Sequence, residues 1–238
     1  MKNRFIITLA GIFTFLTSLA QTEKQHELII SLDLFSSKLQ QQPKPQIIDA
    51  RSAEEFALNH IEGAVNFNLQ SQDYASRVQA LDKSKPVFAY SINTGRSGAL
   101  ARDLKQQGFP EIYNLEGGIA NWIGGGKPYY SVAEKGLPLT EYNSIVNNNK
   151  WVLVDIGSRY CGSCKKVKPI LDSLRREHGD ALKIVEVELE ESPELIRDLK
   201  TVNVFPYIIL YDSGEIAWKK AGINNLKKEV DVALAKNK

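Results

Sequence analysis

Short hydrophobic runs alternate with amphipathic stretches along most of this chain. Gln46-Ile47-Ile48-Asp49-Ala50, Val65-Asn66-Phe67, Pro86-Val87-Phe88-Ala89-Tyr90 and Ile112-Tyr113-Asn114-Leu115 read as strands. Between and around them, Leu32 to Gln41, Ala53 to Asn59, Tyr74 to Leu81 and Ser97 to Gln107 read as helices, the last stopping at Gly108. Strands alternating with helices predict a parallel sheet covered on both faces. Gly124-Gly125-Gly126-Lys127-Pro128 breaks the pattern, and residues 127–138, which lack periodicity, read as a linker. The alternation then restarts with a helix from Glu141 to Asn149 and a buried strand from Trp151 to Ile156. Val167, Ile170, Leu171 and Leu174 fall on one face of a helix predicted from about Cys161 to Glu177. A strand from Lys183 to Leu189 and a helix from Pro193 to Leu199 follow. Tyr207–Tyr211 and Ile216–Lys219 are predicted to pair as a hairpin across Asp212-Ser213-Gly214, and a last helix runs from Asn225 to Ala235.

Length and charge narrow the picture. The 238 residues suffice for two domains of about 100–120 residues each. The formal net charge is +2, with no basic run to track a phosphate backbone, so nucleic acid is not an expected partner. Residues 1–20 differ from the rest: Lys2 and Arg4 precede an apolar stretch from Phe5 to Leu16, and Ser18-Leu19-Ala20 forms a small-residue cleavage site. This predicts a signal peptide cut before Gln21, hence export to the periplasm and no integral membrane segment afterwards. The alternative is an uncleaved anchor, for which the apolar run is short.

The chain has two cysteines, both in Tyr160-Cys161-Gly162-Ser163-Cys164. The segment lies between a buried strand and an amphipathic helix. At a helix N-terminus, free N–H groups and the helix dipole favour a thiolate, so Cys161 is the expected exposed, attacking sulfur. Two intervening residues bring Cys164 back to resolve a mixed disulfide. The competing readings are a stabilising disulfide and a zinc half-site. Zinc needs about four ligands, and three histidines with no further cysteine supply them poorly. No metal and no cofactor beyond the disulfide itself is expected.

Residues 139–238 resemble a thioredoxin domain. Asp155 stands six residues before Cys161, at the family's buried acid position, and Pro169 five after Cys164, where the family kinks its active-site helix. Phe205-Pro206 matches the family's cis-proline, and Gly214 and Gly222 match two further glycines. The resemblance implies catalysis by Cys161 and Cys164 with Asp155 moving the proton. It also implies a substrate groove along Tyr160, Gly162, Ser163, Phe205 and Pro206. Two departures matter. The intervening dipeptide is Gly-Ser, and Glu186 takes the position where many relatives place a lysine. Glu186 then either faces Asp155, raising a carboxyl pKa by burial and like charge, or points to solvent on an alternating strand.

Residues 25–126, within a first domain drawn at 21–126, resemble a rhodanese domain. Ile48-Asp49-Ala50-Arg51, Glu54-Glu55-Phe56 and His60 to Asn66 follow its first signature; Gly95-Arg96-Ser97, Leu115 to Ile119 and Trp122 follow later ones. The family's nucleophilic cysteine is replaced by Ser91, in Ser91-Ile92-Asn93-Thr94-Gly95-Arg96. A serine cannot carry a transferable sulfur, so this domain is expected to be inactive in sulfur transfer. The loop with Arg96 is a candidate anion site, the blander reading being a scaffold or docking surface.

The expected fold is α/β in two domains, an N-terminal parallel sheet and a C-terminal mixed sheet, each with helices on both faces. The expected function is an exported thiol–disulfide oxidoreductase acting on protein thiols and disulfides and served by a membrane or periplasmic electron-transfer partner. The alternatives are a persulfide carrier and a non-enzymatic binding module built on the first domain. Reductant, oxidant and isomerase are not distinguished by sequence.

Overall fold

The structure, a computed structural model, describes residues 29–134 and 136–235. The predicted signal peptide, residues 1–20, lies outside them.

Five parallel strands form the first sheet: β1 (Ile29–Ile30), β2 (Gln46–Asp49), β4 (Val65–Asn66), β5 (Val87–Tyr90) and β6 (Ile112–Leu115), in the order β1-β6-β5-β2-β4. Side chains of adjacent strand residues point to opposite faces, and the sequence uses both. Ile48, Val87 and Ala89 pack with Val78 of helix α3 (Tyr74–Gln79) and with Leu100 and Leu104 of α4 (Gly95–Gln106). Ile47, Phe88 and Tyr90 face the other way, toward Phe35 of α1 (Leu32–Gln40) and Trp122 of α5 (Gly118–Gly124). Helix α2 (Ala53–Leu58) begins on a capping box: Ser52 accepts from the Glu55 amide, and Glu55 accepts from the Ser52 amide. Under it, Arg51 and Asp49 form a fully buried ion pair at 2.7 Å. The guanidinium also reaches Asn59, so the pair is hydrogen-bonded as burial requires.

The second sheet has the order β11-β10-β8-β9. β8 (Trp151–Gly157) runs parallel to β9 (Lys183–Glu188), while β10 (Tyr207–Asp212) is antiparallel to β8 and to β11 (Glu215–Ala221). Its outer face packs Leu153, Ile208 and Leu210 against Leu171 and Leu174 of α7 (Lys168–His178) and Val230 of α9 (Leu226–Ala235). Its inner face turns Val152, Val154, Ile156 and Ile209 toward Tyr142 of α6 (Leu139–Asn147) and Leu195 of α8 (Pro193–Leu199).

The two inner faces share one apolar cluster, so the halves are not separate cores joined by a tether. Helices α5 and α8 meet where the second domain's 202–203 segment lies on glycine backbone. A Cβ at Gly124 would fall inside the radius of the Val202 carbonyl oxygen, and one at Gly117 inside that of Asn203. The 127–138 stretch also differs from the expected linker. Tyr129–Ser131 form strand β7, antiparallel to β3 (Asn59–Ile61). The ring of His60 stacks between Phe56 and Tyr130, and its Nδ1 lies 2.8 Å from the Phe56 carbonyl. Three residues carry too little periodicity to announce a strand.

Gly124→Ala should lower stability by about 1–3 kcal/mol through overpacking, read from the midpoint of denaturant unfolding. Gly95→Ala, whose Cβ meets open space, should stay within about 0.5 kcal/mol.

Candidate functional site

Strand β8 is apolar except at Asp155 and delivers the chain to a tight turn. Ser158, Arg159 and Tyr160 make that turn, and Glu190 pins it. The buried Glu190 carboxylate accepts from Ser158 Oγ at 2.5 Å and from the Arg159 amide at 3.3 Å. Burial pushes its carboxyl up, against the pull of those hydrogen bonds. The guanidinium of Arg159 bridges Glu188 and Glu191 from outside. Glu190 was not singled out in the sequence; the acidic run Glu188-Leu189-Glu190-Glu191 was the signal that could have found it.

Cys161 and Cys164 are joined as a disulfide, with Cα atoms 5.2 Å apart. The turn is followed by a 3-10 segment, Cys164–Lys166, and α7 begins only at Lys168. This corrects the expected helix from Cys161, because Pro169 cannot donate in a helix interior and instead takes the first turn. Cys161 therefore lacks the helix N-terminus predicted for it. Its sulfur is met instead by two local donors, the Cys164 amide at 3.2 Å and the Ser163 hydroxyl at 3.2 Å. The expected exposure of Cys161 also needs correction: it is 1% exposed, and Cys164 is the more open of the two. Tyr160, Gly162 and Ser163 are exposed.

Behind the pair, a cavity of about 240 Å³ is lined by Asp155, Gly157, Cys164, Lys168, Glu186 and Glu188. It connects the Asp155 carboxyl with the Cys164 side of the disulfide. Asp155 Oδ1 is buried and has no hydrogen-bond partner among the described residues. Burial first, then the charges of Glu186 and Glu188, push this carboxyl up to about 7, while Arg175 pulls it down. Glu186 stands opposite Asp155 in the parallel register. Its own carboxylate turns outward to Arg175 and is 45% exposed. Glu186 thus acts on Asp155 through its field and does not join it in a shared buried pair. Glu188 was missed because it stands two residues farther along the strand.

The Phe205–Pro206 peptide bond is cis. Tyr207 lies opposite Ile156, so Phe205 and Pro206 run past the end of β8 toward the cysteine turn. Both are buried. The groove edge expected here is already occupied: Asn93 Nδ2 donates to the Phe205 carbonyl at 3.1 Å, and the Phe205 amide donates to Asn93 Oδ1 at 3.2 Å.

Asn93 comes from the loop at the start of α4. Ser91 is fully buried there, its hydroxyl 3.1 Å from Ser97 Oγ and accepting from the Ser97 amide at 3.3 Å. Ile92 packs on the shared apolar cluster, and Thr94 and Gly95 open the helix. Arg96 is held by two hydrogen bonds to the buried Glu55, at 2.5 and 2.7 Å. Ser91 fills the interior and Glu55 pairs with Arg96, an arrangement closer to the scaffold reading of this loop than to the candidate anion site.

Over residues 32–124 the chain matches the family model of the rhodanese-like domain, and over residues 133–234 that of thioredoxin. The uncharacterized protein YqhL of Bacillus subtilis is 43% identical over 81 residues, 34% of this chain and 63% of that protein. The thioredoxin of Listeria monocytogenes is 32% identical over 85 residues, 36% of this chain and 81% of its own length. The thioredoxin of Mycobacterium tuberculosis is 32% identical over 71 residues, and this chain spans 60% of it. Among solved structures, oxidized mitochondrial thioredoxin 3 of Saccharomyces cerevisiae is 23% identical with a TM-score of 0.37, covering 44% of this chain and 94% of that one.

The raised carboxyl at Asp155 has a consequence for stability. In the unfolded chain it ionises near 3.8, in the folded chain near 7. The folded state binds the proton more tightly, so stability is lost as pH rises between those values. Asp155→Asn should therefore stabilise the oxidised protein above pH 7 by on the order of 2–4 kcal/mol, with the gain gone below about pH 4. Thermal midpoints measured across pH check this; a constant difference between the proteins would contradict it.

Proposed function

Because this chain belongs to the thioredoxin family, with a rhodanese-like domain ahead of it, we propose that it is an exported thiol–disulfide oxidoreductase acting on protein substrates. The observation that carries the proposal is the Cys161–Cys164 disulfide, set at the end of a buried strand between cis-Pro206 and the cavity of Asp155.

In the reducing direction, the Cys161 thiolate attacks a substrate disulfide. A Cys161–substrate disulfide forms, and one substrate sulfur leaves as a thiolate. Cys164 then attacks the Cys161 sulfur, closing the enzyme disulfide and releasing the second substrate thiolate. Two electrons pass from the dithiol to the substrate, and the oxidising direction is the same sequence reversed. The roles follow from surroundings. Donors from Ser163 and the Cys164 amide meet the Cys161 sulfur, which favours its thiolate. Cys164 opens on a cavity holding a carboxyl that titrates near 7. Asp155 can take the Cys164 proton as that thiol attacks and return it in the reverse step.

The rhodanese-like domain serves as a scaffold, consistent with the buried Ser91 and the shared core. Residues 1–20 direct export, and a membrane or periplasmic partner supplies or removes electrons. No helix among the described residues is long and apolar enough to cross a membrane.

Three measurements test this. Cys161→Ser should abolish insulin reduction, and Cys164→Ser should accumulate a mixed disulfide visible by mass; first alkylation at Cys164 near neutral pH would reverse the assignment. Wild-type protein should form no thiocyanate from thiosulfate and cyanide. N-terminal sequencing of periplasmic protein should begin at Gln21, and Met1 retained in a membrane fraction would overturn the export proposal.

A further inference from the structure

Phe205 offers one backbone donor and one backbone acceptor at the last position before Pro206, which has no N–H of its own. Such a pair, side by side, is the hydrogen-bonding unit by which an extended strand recognises another. Both groups meet the loop of the other domain, where Asn93 takes them. A second extended chain binding there would satisfy both groups with a single residue.

The asparagine carboxamide has the same donor and acceptor as a peptide unit. Asn93 uses both of them on Phe205, at 3.1 and 3.2 Å, across 112 positions of sequence. The loop that carries it is stiff. Ser91 is locked inside by Ser97, and the Ile119 amide donates to the Ser91 carbonyl at 2.9 Å. Ile92, next to Asn93, lies against the apolar cluster that includes Cys161 and Phe205.

We propose that Asn93 is a specificity-determining residue contributed by the rhodanese-like domain: its side chain stands in for the backbone of an extended substrate at Phe205, and a protein disulfide must displace it. This depends on the Cys161–Cys164 pair exchanging protein disulfides as proposed above. The glycine contacts that seat the two domains do not involve the Asn93 side chain, so the displacement concerns this pair of hydrogen bonds. A small aromatic disulfide has no backbone to pair with Phe205. It gains nothing when Asn93 leaves. Asn93 therefore selects against extended protein substrates relative to small disulfides.

The test uses the full chain, reduced with dithiothreitol and freed of excess reductant. Rates are measured with insulin and, separately, with dithionitrobenzoate. Asn93→Ala should raise the insulin rate constant by about five- to thirty-fold, the range expected for loss of two modest competing hydrogen bonds. The dithionitrobenzoate constant should stay within about twofold. Asn93→Asp keeps the volume and one acceptor but sets a second acceptor against the Phe205 carbonyl, and should raise the insulin rate in the same direction. Amide exchange at Phe205 should speed up in Asn93→Ala while exchange at Ile208 stays slow, which separates local release from loss of the fold. An unchanged or lowered insulin-to-dithionitrobenzoate ratio in both variants overturns the role of Asn93 and leaves the oxidoreductase intact. Unchanged Phe205 exchange also overturns it. Failure of the reduced wild type to react with either disulfide overturns the oxidoreductase itself, and Asn93's role with it.

Discussion

The close seating of two backbones sets the rest of the structure. Helix α5 presents glycines to the carbonyls of Val202 and Asn203, and no side chain larger than hydrogen fits at Gly117 or Gly124. That contact brings α5 against α8 and lets one apolar cluster extend through both halves. It also fixes the chain just upstream of Phe205 and Pro206. The position of the cis-proline relative to the disulfide is thus determined by both domains. A second domain that merely trailed on a linker would leave that segment to its own sheet.

The disulfide consequently has two unlike sides. Cys161 belongs to the apolar cluster onto which Ile92 packs, and its sulfur sees the Ser163 hydroxyl and one amide. Cys164 faces a cavity with three carboxylate-bearing residues and two lysines. Low polarity strengthens hydrogen bonds to a thiolate on the first side. On the second side, burial and like charges raise the Asp155 carboxyl to about 7, so that it can take or give a proton at neutral pH. The asymmetry that the mechanism needs comes from these surroundings, since the helix begins only at Lys168, four residues beyond Cys164, after a 3-10 turn.

Much of this was legible in the sequence because it is local or periodic. Strands such as Ile112–Leu115 and the helix Pro193–Leu199 follow from pattern and punctuation. Asp155 interrupts an apolar strand, which is a readable sign of a buried acid. Among the elements of two or three residues, β4 was legible, whereas β1, β3 and β7 were not, since they exist through pairing with partners far along the chain. The direction of the Glu186 side chain was undecided until Arg175 on α7 gave it a partner. Burial of Cys161 was illegible because its apolar cluster draws residues from both domains.

The loop at Ser91 is closed by its own contacts. Ser91 is enclosed and hydrogen-bonded to Ser97, and a cradle for anions needs an uncommitted cation, whereas Arg96 is tied to Glu55. Every contact that closes the site to small molecules also stiffens the loop. Ser91 to Ser97, Ile119 to Ser91 and Arg96 to Glu55 fix both ends of a short span, and Asn93 stands at its middle. A side chain held at both flanks loses little freedom on making two hydrogen bonds, so the contact with Phe205 forms at low entropic cost. The rigidity of this loop is the property that positions a carboxamide beside a cis-proline. Changes at Glu55 or Ser97, remote from the cysteines in sequence, therefore bear on the redox site through Asn93.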